Sequence, residues 1–196
     1  MTAQRVADLY LSDVRGRTRG VRALGDGALA QLQASEWHTP LAQDGNSAAV
    51  LIQHLAGNMH SRWGALRGGY RAGSEGESAG RNRDAEFEEG ALDGVTLMKL
   101  WDDGWQVFLD ALDHLSPDDL TRPLTIRGET HTVLEAIQRQ VAHYSGHVYQ
   151  LILLVKTLRG PQWRTLSIAR GGSAAYNAAL WPPDGTALEG TPCLNA

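Results

Sequence analysis

Thr132-Val-Leu-Glu135-Ala-Ile137-Gln-Arg-Gln-Val141-Ala-His143-Tyr144-Ser-Gly-His147-Val148-Tyr-Gln150-Leu151-Ile-Leu-Leu-Val155-Lys-Thr-Leu158 is the longest uninterrupted amphipathic stretch of the chain. Leu134, Ile137, Val141, Tyr144, Val148, Leu151, Val155 and Leu158 recur at spacings of three and four, the period of one helix face. Thr132 with Glu135 three residues on forms a capping box, and Gly160-Pro161 ends the pattern. The same seam appears upstream from about Asp93, in Met98, Trp101, Trp105, Phe108, Leu112 and Leu115. A further helix is expected from an Asn46 or Ser47 cap to about Leu66, with Leu51, Leu55 and Leu66 on its apolar face. A first helix from Gln4 to Gln33 carries Val6, Tyr10, Val14, Val21, Leu24, Ala28 and Leu32, and its interior glycines predict a break near Gly25.

Gly68 to Gly90 has no apolar period and reads as a long crossover between the second and third helices. Ser116-Pro117-Asp118-Asp119 looks like a short helix start, and Thr125 to Thr132 like a small hairpin. Four amphipathic helices, one long crossover and no long strands predict an all-α four-helix bundle over residues 1–160. Residues 161–196 lack period and read as an irregular C-terminal tail, packed on the bundle or trailing from it.

The composition narrows the function. Of 196 residues, 18 are Lys or Arg and 22 Asp or Glu, a net charge of −4 that gives no basis for nucleic-acid binding. Arg15, Arg17, Arg19 and Arg22 read as a solvated helix face. No apolar stretch is long enough to span a bilayer and no leader is visible at the N-terminus, so the expected location is cytoplasmic. One cysteine, Cys193, excludes an internal disulfide framework and a cysteine-rich zinc module, whereas seven histidines leave nitrogen ligation open.

His143 and His147 are one turn apart, at directions that differ by about 40°, so both imidazoles can reach one ion. They sit beside the Tyr144 and Leu151 seam, on the side of Ala136 and Leu154, where a neighbouring helix is expected. His54 lies between Leu51 and Leu55 on the second helix, with Asn58 one turn later. An inward-facing imidazole must find a partner. Two readings of these three residues stay open: ligands of one metal ion with an open position, or core histidines hydrogen-bonded to protein groups. His38, His60, His114 and His131 are assigned no role.

The order of these motifs resembles the DinB/YfiT-like superfamily of metal-dependent proteins, and within it a bacterial branch of unknown function. The resemblance is carried by His54-Leu-Ala-Gly-Asn58-Met-His-Ser-Arg62-Trp63, Arg81-Asn-Arg-Asp84-Ala-Glu86-Phe87, His143-Tyr-Ser-Gly-His147 and Leu166-Ser-Ile168-Ala-Arg170-Gly, and extends to about Asn177. It implies an up-up-down-down bundle and a divalent transition metal, zinc or nickel, on His54, His143 and His147. It also implies a homodimer, and relatives that transfer low-molecular-weight thiols.

The expected function is therefore a metal-binding protein acting as a thiol-dependent transferase on a small-molecule substrate. The alternatives are a metal-dependent hydrolase with the same ligands, or a non-enzymatic metal- or ligand-binding bundle. Since the chain offers only Cys193, a sulfur nucleophile is expected to arrive as a small molecule. Asn58 and Arg62 are candidates to orient substrate, by hydrogen bond and by carboxylate pairing, and Gln150 to support a histidine; each could equally make an interhelical contact or an ion pair. Arg81 and Arg83 read as solvated loop charges, with a lid as the alternative.

Overall fold

The computed structural model describes residues 2–72 and 80–180. Its long elements are α1 (Ala3–Leu29), α2 (Ala48–Trp63), α3 (Gly94–His114) and α4 (Val133–Arg159). A two-stranded antiparallel hairpin of β1 (Pro123–Ile126) and β2 (Glu129–Thr132) leads into α4, and a short helix α5 (Ser173–Leu180) follows it. The chain is thus mostly helical. α2 packs on α3 and α4, and α1 on α4 and α3.

The caps read from sequence are formed. Ser47 accepts from the Val50 N–H at 3.2 Å, and Asp93 from the Thr96 N–H at 2.8 Å. Thr132 and Glu135 close both halves of their box. Such caps stabilise a helix by about 1 kcal/mol each. Ser116 and Asp119 make a second capping box over a 3₁₀ turn at Pro117–Asp119. The hairpin turns at Arg127-Gly128, both in the left-handed region.

Aromatic side chains join three helices. Trp63 of α2 lies 4.9 Å from Phe108 of α3, which lies 5.0 Å from Tyr144 of α4, and all three are buried. Met98, expected in the α3 seam, is only partly buried.

Several expectations are corrected. α1 runs unbroken through Gly25 and ends at Leu29 rather than Gln33. Gly25 is a packing site: an added Cβ would stand 2.5 Å from the Trp101 ring, whose Nε1 donates to Asp26 at 2.6 Å. The indole covers the glycine, so the backbone is not left to fray. Of the arginines read as solvated, three tie α1 to α3. Arg15 donates to the Leu112 and Leu115 carbonyls at the end of α3, Arg19 to both oxygens of Asp113, and Arg22 to Asp102. Only Arg17, bonded to Asp13 on its own helix, fits the solvated reading.

The region after Gly160 is less irregular than expected. Gln31 brackets the Arg164 backbone with two hydrogen bonds of 3.0 and 2.8 Å, Leu166 seats on Gly27, and α5 is an added helical element. Trp181 to Ala196, including Cys193, lie outside the described residues. No helix among the described residues is long and apolar enough to cross a membrane.

α2 and α3 approach closely because Gly104 faces Ala56. A Cβ on Gly104 would fall 2.9 Å from the Ala56 Cα. Gly104→Val should lower the unfolding free energy by about 1–3 kcal/mol despite better helix propensity, measured by urea denaturation.

Candidate metal site

His54 is held on α2, the most enclosed helix of the fold, where 13 of the 16 residues are buried. His143 and His147 come from α4, beside the buried Tyr144 and Val148. The three rings converge: ring centres lie 5.2 Å (His54–His143), 5.0 Å (His54–His147) and 4.7 Å (His143–His147) apart. One nitrogen of each lies within 4.8 Å of the others, close enough for all three to hold one ion. His54 Nε2 and His143 Nε2 are 3.2 Å apart. Two imidazole nitrogens on one tetrahedral zinc are separated by about 3.3 Å, so this spacing suits a shared ion.

The outer nitrogens orient the rings. His54 Nδ1 meets Glu86 Oε2 at 3.0 Å, and His147 Nδ1 meets Gln150 Oε1 at 3.1 Å. Because a carboxylate can only accept, the Glu86 contact puts a proton on His54 Nδ1 and leaves Nε2 as a lone-pair donor toward the other histidines. Glu86 is itself gripped by Arg81, Nε to Oε1 at 2.7 Å and Nη2 to Oε2 at 2.6 Å. Arg81 is therefore a buried ion-pair partner, 5 % exposed at its side chain, and not a solvated loop charge.

The crossover delivers this carboxylate. Within it, Asp84–Phe87 forms a 3₁₀ turn that packs on α2. Gly57 makes the approach possible, since a Cβ there would stand 2.3 Å from Glu86 Oε1. Phe87 then lies against the His54 ring at 4.6 Å, with the Arg83 guanidinium 4.8 Å above the Phe87 ring.

Asn58 occupies a determined orientation. The indole Nε1 of Trp63 can only donate, and it donates to Tyr144 Oη at 3.0 Å. The Tyr144 hydroxyl then donates to Asn58 Oδ1 at 3.0 Å. That chain identifies the amide oxygen of Asn58 and leaves its Nδ2 hydrogens for the cavity it lines. The contact expected as Asn58's alternative role is thus present, and it aims the amide. Burial raises the Tyr144 pKa, so the hydroxyl stays protonated to serve this chain.

Burial also favours the neutral form of His54 and His143. It lowers the His54 pKa, against the opposing hydrogen bond to Glu86. His143 is lowered from 6.5 to about 3 by burial first, then by His147 and His54. Neutral imidazole is the form that donates a lone pair to a metal.

The site opens into a cavity of about 370 Å³ lined by the three histidines, Asn58, Gln140, Phe87 and four arginines, Arg62, Arg83, Arg127 and Arg139. Arg62 is buried at the cavity wall. Gln150 stands where a supporting residue was expected. His38, given no role, bridges Glu89 and the Leu92 carbonyl, joining the loop after α1 to the entry of α3.

The class these observations define is a mostly helical protein with three histidines close enough to hold a metal ion, at a cavity. Residues 5–172 match the family described as Protein of unknown function (DUF1572), and the chain belongs to it. No curated protein and no solved structure matches the chain.

Two outcomes are expected. Glu86→Gln or Gly57→Ala should weaken Ni²⁺ or Zn²⁺ affinity about 10–100-fold in a competitive chelator titration, because each frees the His54 ring. Between pH 6.5 and about 3 the unfolded chain binds protons that folded His143 refuses, so metal-free protein should lose stability as pH falls below 6.5. Melting temperatures from pH 7.5 to 5 check this, and His143→Gln should flatten the slope.

Proposed function

We propose that this protein binds one divalent transition metal ion, zinc or nickel, through His54, His143 and His147, and acts as a thiol-dependent transferase on a small-molecule electrophile. The observation that carries the metal reading is the set of three converging imidazoles, two with 3.2 Å between Nε2 atoms and two with an oriented Nδ1. Three protein ligands leave a position open on the cavity side, as a catalytic rather than a closed structural site requires. Such an ion, when bound, favours the thiolate of a thiol or the hydroxide of a water at that position.

The protein's own groups do the rest. Arg81 and Glu86 hold the His54 ring, Gln150 holds His147, and Asn58 presents amide hydrogens to a substrate in the cavity. In the transfer, the thiol loses its proton to solvent and the sulfur forms a bond to carbon. The bond to the leaving group breaks, and the leaving group departs with its electron pair.

The likeness to the DinB/YfiT-like superfamily supports this choice over hydrolysis, which the same ligands could also perform with water. It further supports reading the four long helices as an up-up-down-down bundle over residues 1–160, a homodimer and a cytoplasmic setting.

Wild type incubated with Ni²⁺ or Zn²⁺ and dialysed should retain about one metal per chain, as one three-histidine site predicts. Elemental analysis of His143→Ala and His147→Ala should show that metal lost, with helical circular dichroism retained. Stoichiometric metal in both variants would reject the site. A screen of low-molecular-weight thiols against alkyl and epoxide electrophiles then tests the transfer, and turnover of esters without thiol would favour the hydrolase.

A further inference from the structure

The His143 ring differs from its two neighbours. His54 Nδ1 meets Glu86 and His147 Nδ1 meets Gln150, whereas His143 Nδ1 is buried with no hydrogen-bond partner among the described residues. A second buried atom at the same cavity shares that condition. It is Oε1 of Gln140, a side chain 1 % exposed. Buried polar atoms are nearly always paired, and each exception calls for a cause.

α4 sets the two residues side by side. Positions three apart on a helix have Cβ atoms about 5–6 Å from one another. Helical side chains lean toward the N-terminus, so the His143 ring lies over the turn that carries Gln140. The same helix repeats this spacing one turn on. Gln150 follows His147 by three residues, and its Oε1 stands 3.1 Å from His147 Nδ1.

Counting ring protons gives the cause. A neutral imidazole carries one. That of His54 sits on Nδ1, facing Glu86, so His54 Nε2 can only accept. The 3.2 Å contact between the two Nε2 atoms is then a hydrogen bond when His143 donates from Nε2, which leaves its Nδ1 bare. In that tautomer His143 Nδ1 and Gln140 Oε1 are both acceptors and cannot pair. Ligation requires the other tautomer: Nε2 gives its lone pair, and the ring proton resides on Nδ1 as a buried donor in need of an acceptor.

We propose that Gln140 is the positioning residue of His143: its Oε1 accepts the Nδ1 proton when His143 Nε2 serves as a metal ligand. The proposal deepens the three-histidine reading and rests on it. The proton leaves Nε2 for solvent while another is taken up at Nδ1, so the ring stays neutral, and rotation of the Gln140 side chain brings its oxygen to the new donor. Both orphaned atoms are satisfied by that one bond. Each of the three rings then has its outer nitrogen fixed, His54 by Glu86, His147 by Gln150 and His143 by Gln140. Gln140 acts on the metal only through the ring.

The test is a competitive chelator titration of the full-length protein with Zn²⁺ at fixed pH. Gln140→Leu, which keeps the volume and removes the acceptor, should weaken Zn²⁺ affinity about tenfold or more. Gln140→Glu, which keeps an acceptor at the same reach, should bind at least as tightly as wild type. Gln138→Leu is the control, since Gln138 is exposed and donates to Tyr10 Oη instead. Helical circular dichroism accompanies each variant, and Gln140→Met replaces the leucine variant where that one does not fold. Nuclear magnetic resonance of zinc-loaded, ¹⁵N-histidine-labelled protein supplies a readout that packing alone would not move. The His143 Nδ1–H signal should lie downfield in wild type and shift upfield in Gln140→Leu. Equal affinity of Gln140→Leu and wild type, an unmoved signal, or a glutamate variant as weak as the leucine one overturns the proposal and leaves the metal reading standing. Failure of wild type to bind Zn²⁺ rejects the three-histidine reading itself, and this proposal with it.

Discussion

Two uncharged imidazole nitrogens, on helices far apart in the chain, are held 3.2 Å from one another in a largely buried site. Placing them there costs desolvation, and the rest of the arrangement offsets that cost. Glu86 satisfies the outer nitrogen of His54, Arg81 neutralises Glu86, and Gly57 leaves the space through which the carboxylate reaches the helix. Removing any one of these would leave a buried group without its partner.

The same constraint governs the core behind the site. Trp63, Tyr144 and Asn58 form a hydrogen-bond chain that links α2 to α4 directly beneath the histidines, so α2 and α4 are registered by a directional contact and not by apolar packing alone. Phe108 packs against both rings of that chain from α3. An aromatic core of this kind is close-packed, and close packing around the helices holds three ligand atoms within 4.8 Å.

Electrostatics divides the molecule into two working parts. Below, the His54–Glu86–Arg81 relay is closed and charge-balanced. Above, Arg62, Arg83, Arg127 and Arg139, from four separate elements, line the cavity.

Helix existence and helix starts were legible in the sequence because they depend on local chemistry. Ser47, Asp93 and the Thr132/Glu135 box cap within three residues, and the apolar period of α4 needs no partner to be seen. The histidine set was legible in part: His143 and His147 share a face by helix geometry, and His54 sits among leucines. What the sequence could not decide was anything that depends on contacts between distant residues. Gly25 carries a helix-breaking signal locally, yet Trp101 from α3 covers it. Arg15, Arg19 and Arg22 read as solvated until α3 brings its C-terminal carbonyls, Asp113 and Asp102 beside them. Arg81 and Glu86, within the quoted Arg81 to Phe87 motif, gained their roles only when the crossover folded onto α2, and Arg127 and Arg139 joined one cavity only through the hairpin and α4. Local propensity sets which segments become helices; the pairing of charges and imidazoles across helices is set by tertiary packing, because those partners are distant in the chain, His54 and His143 by 89 residues.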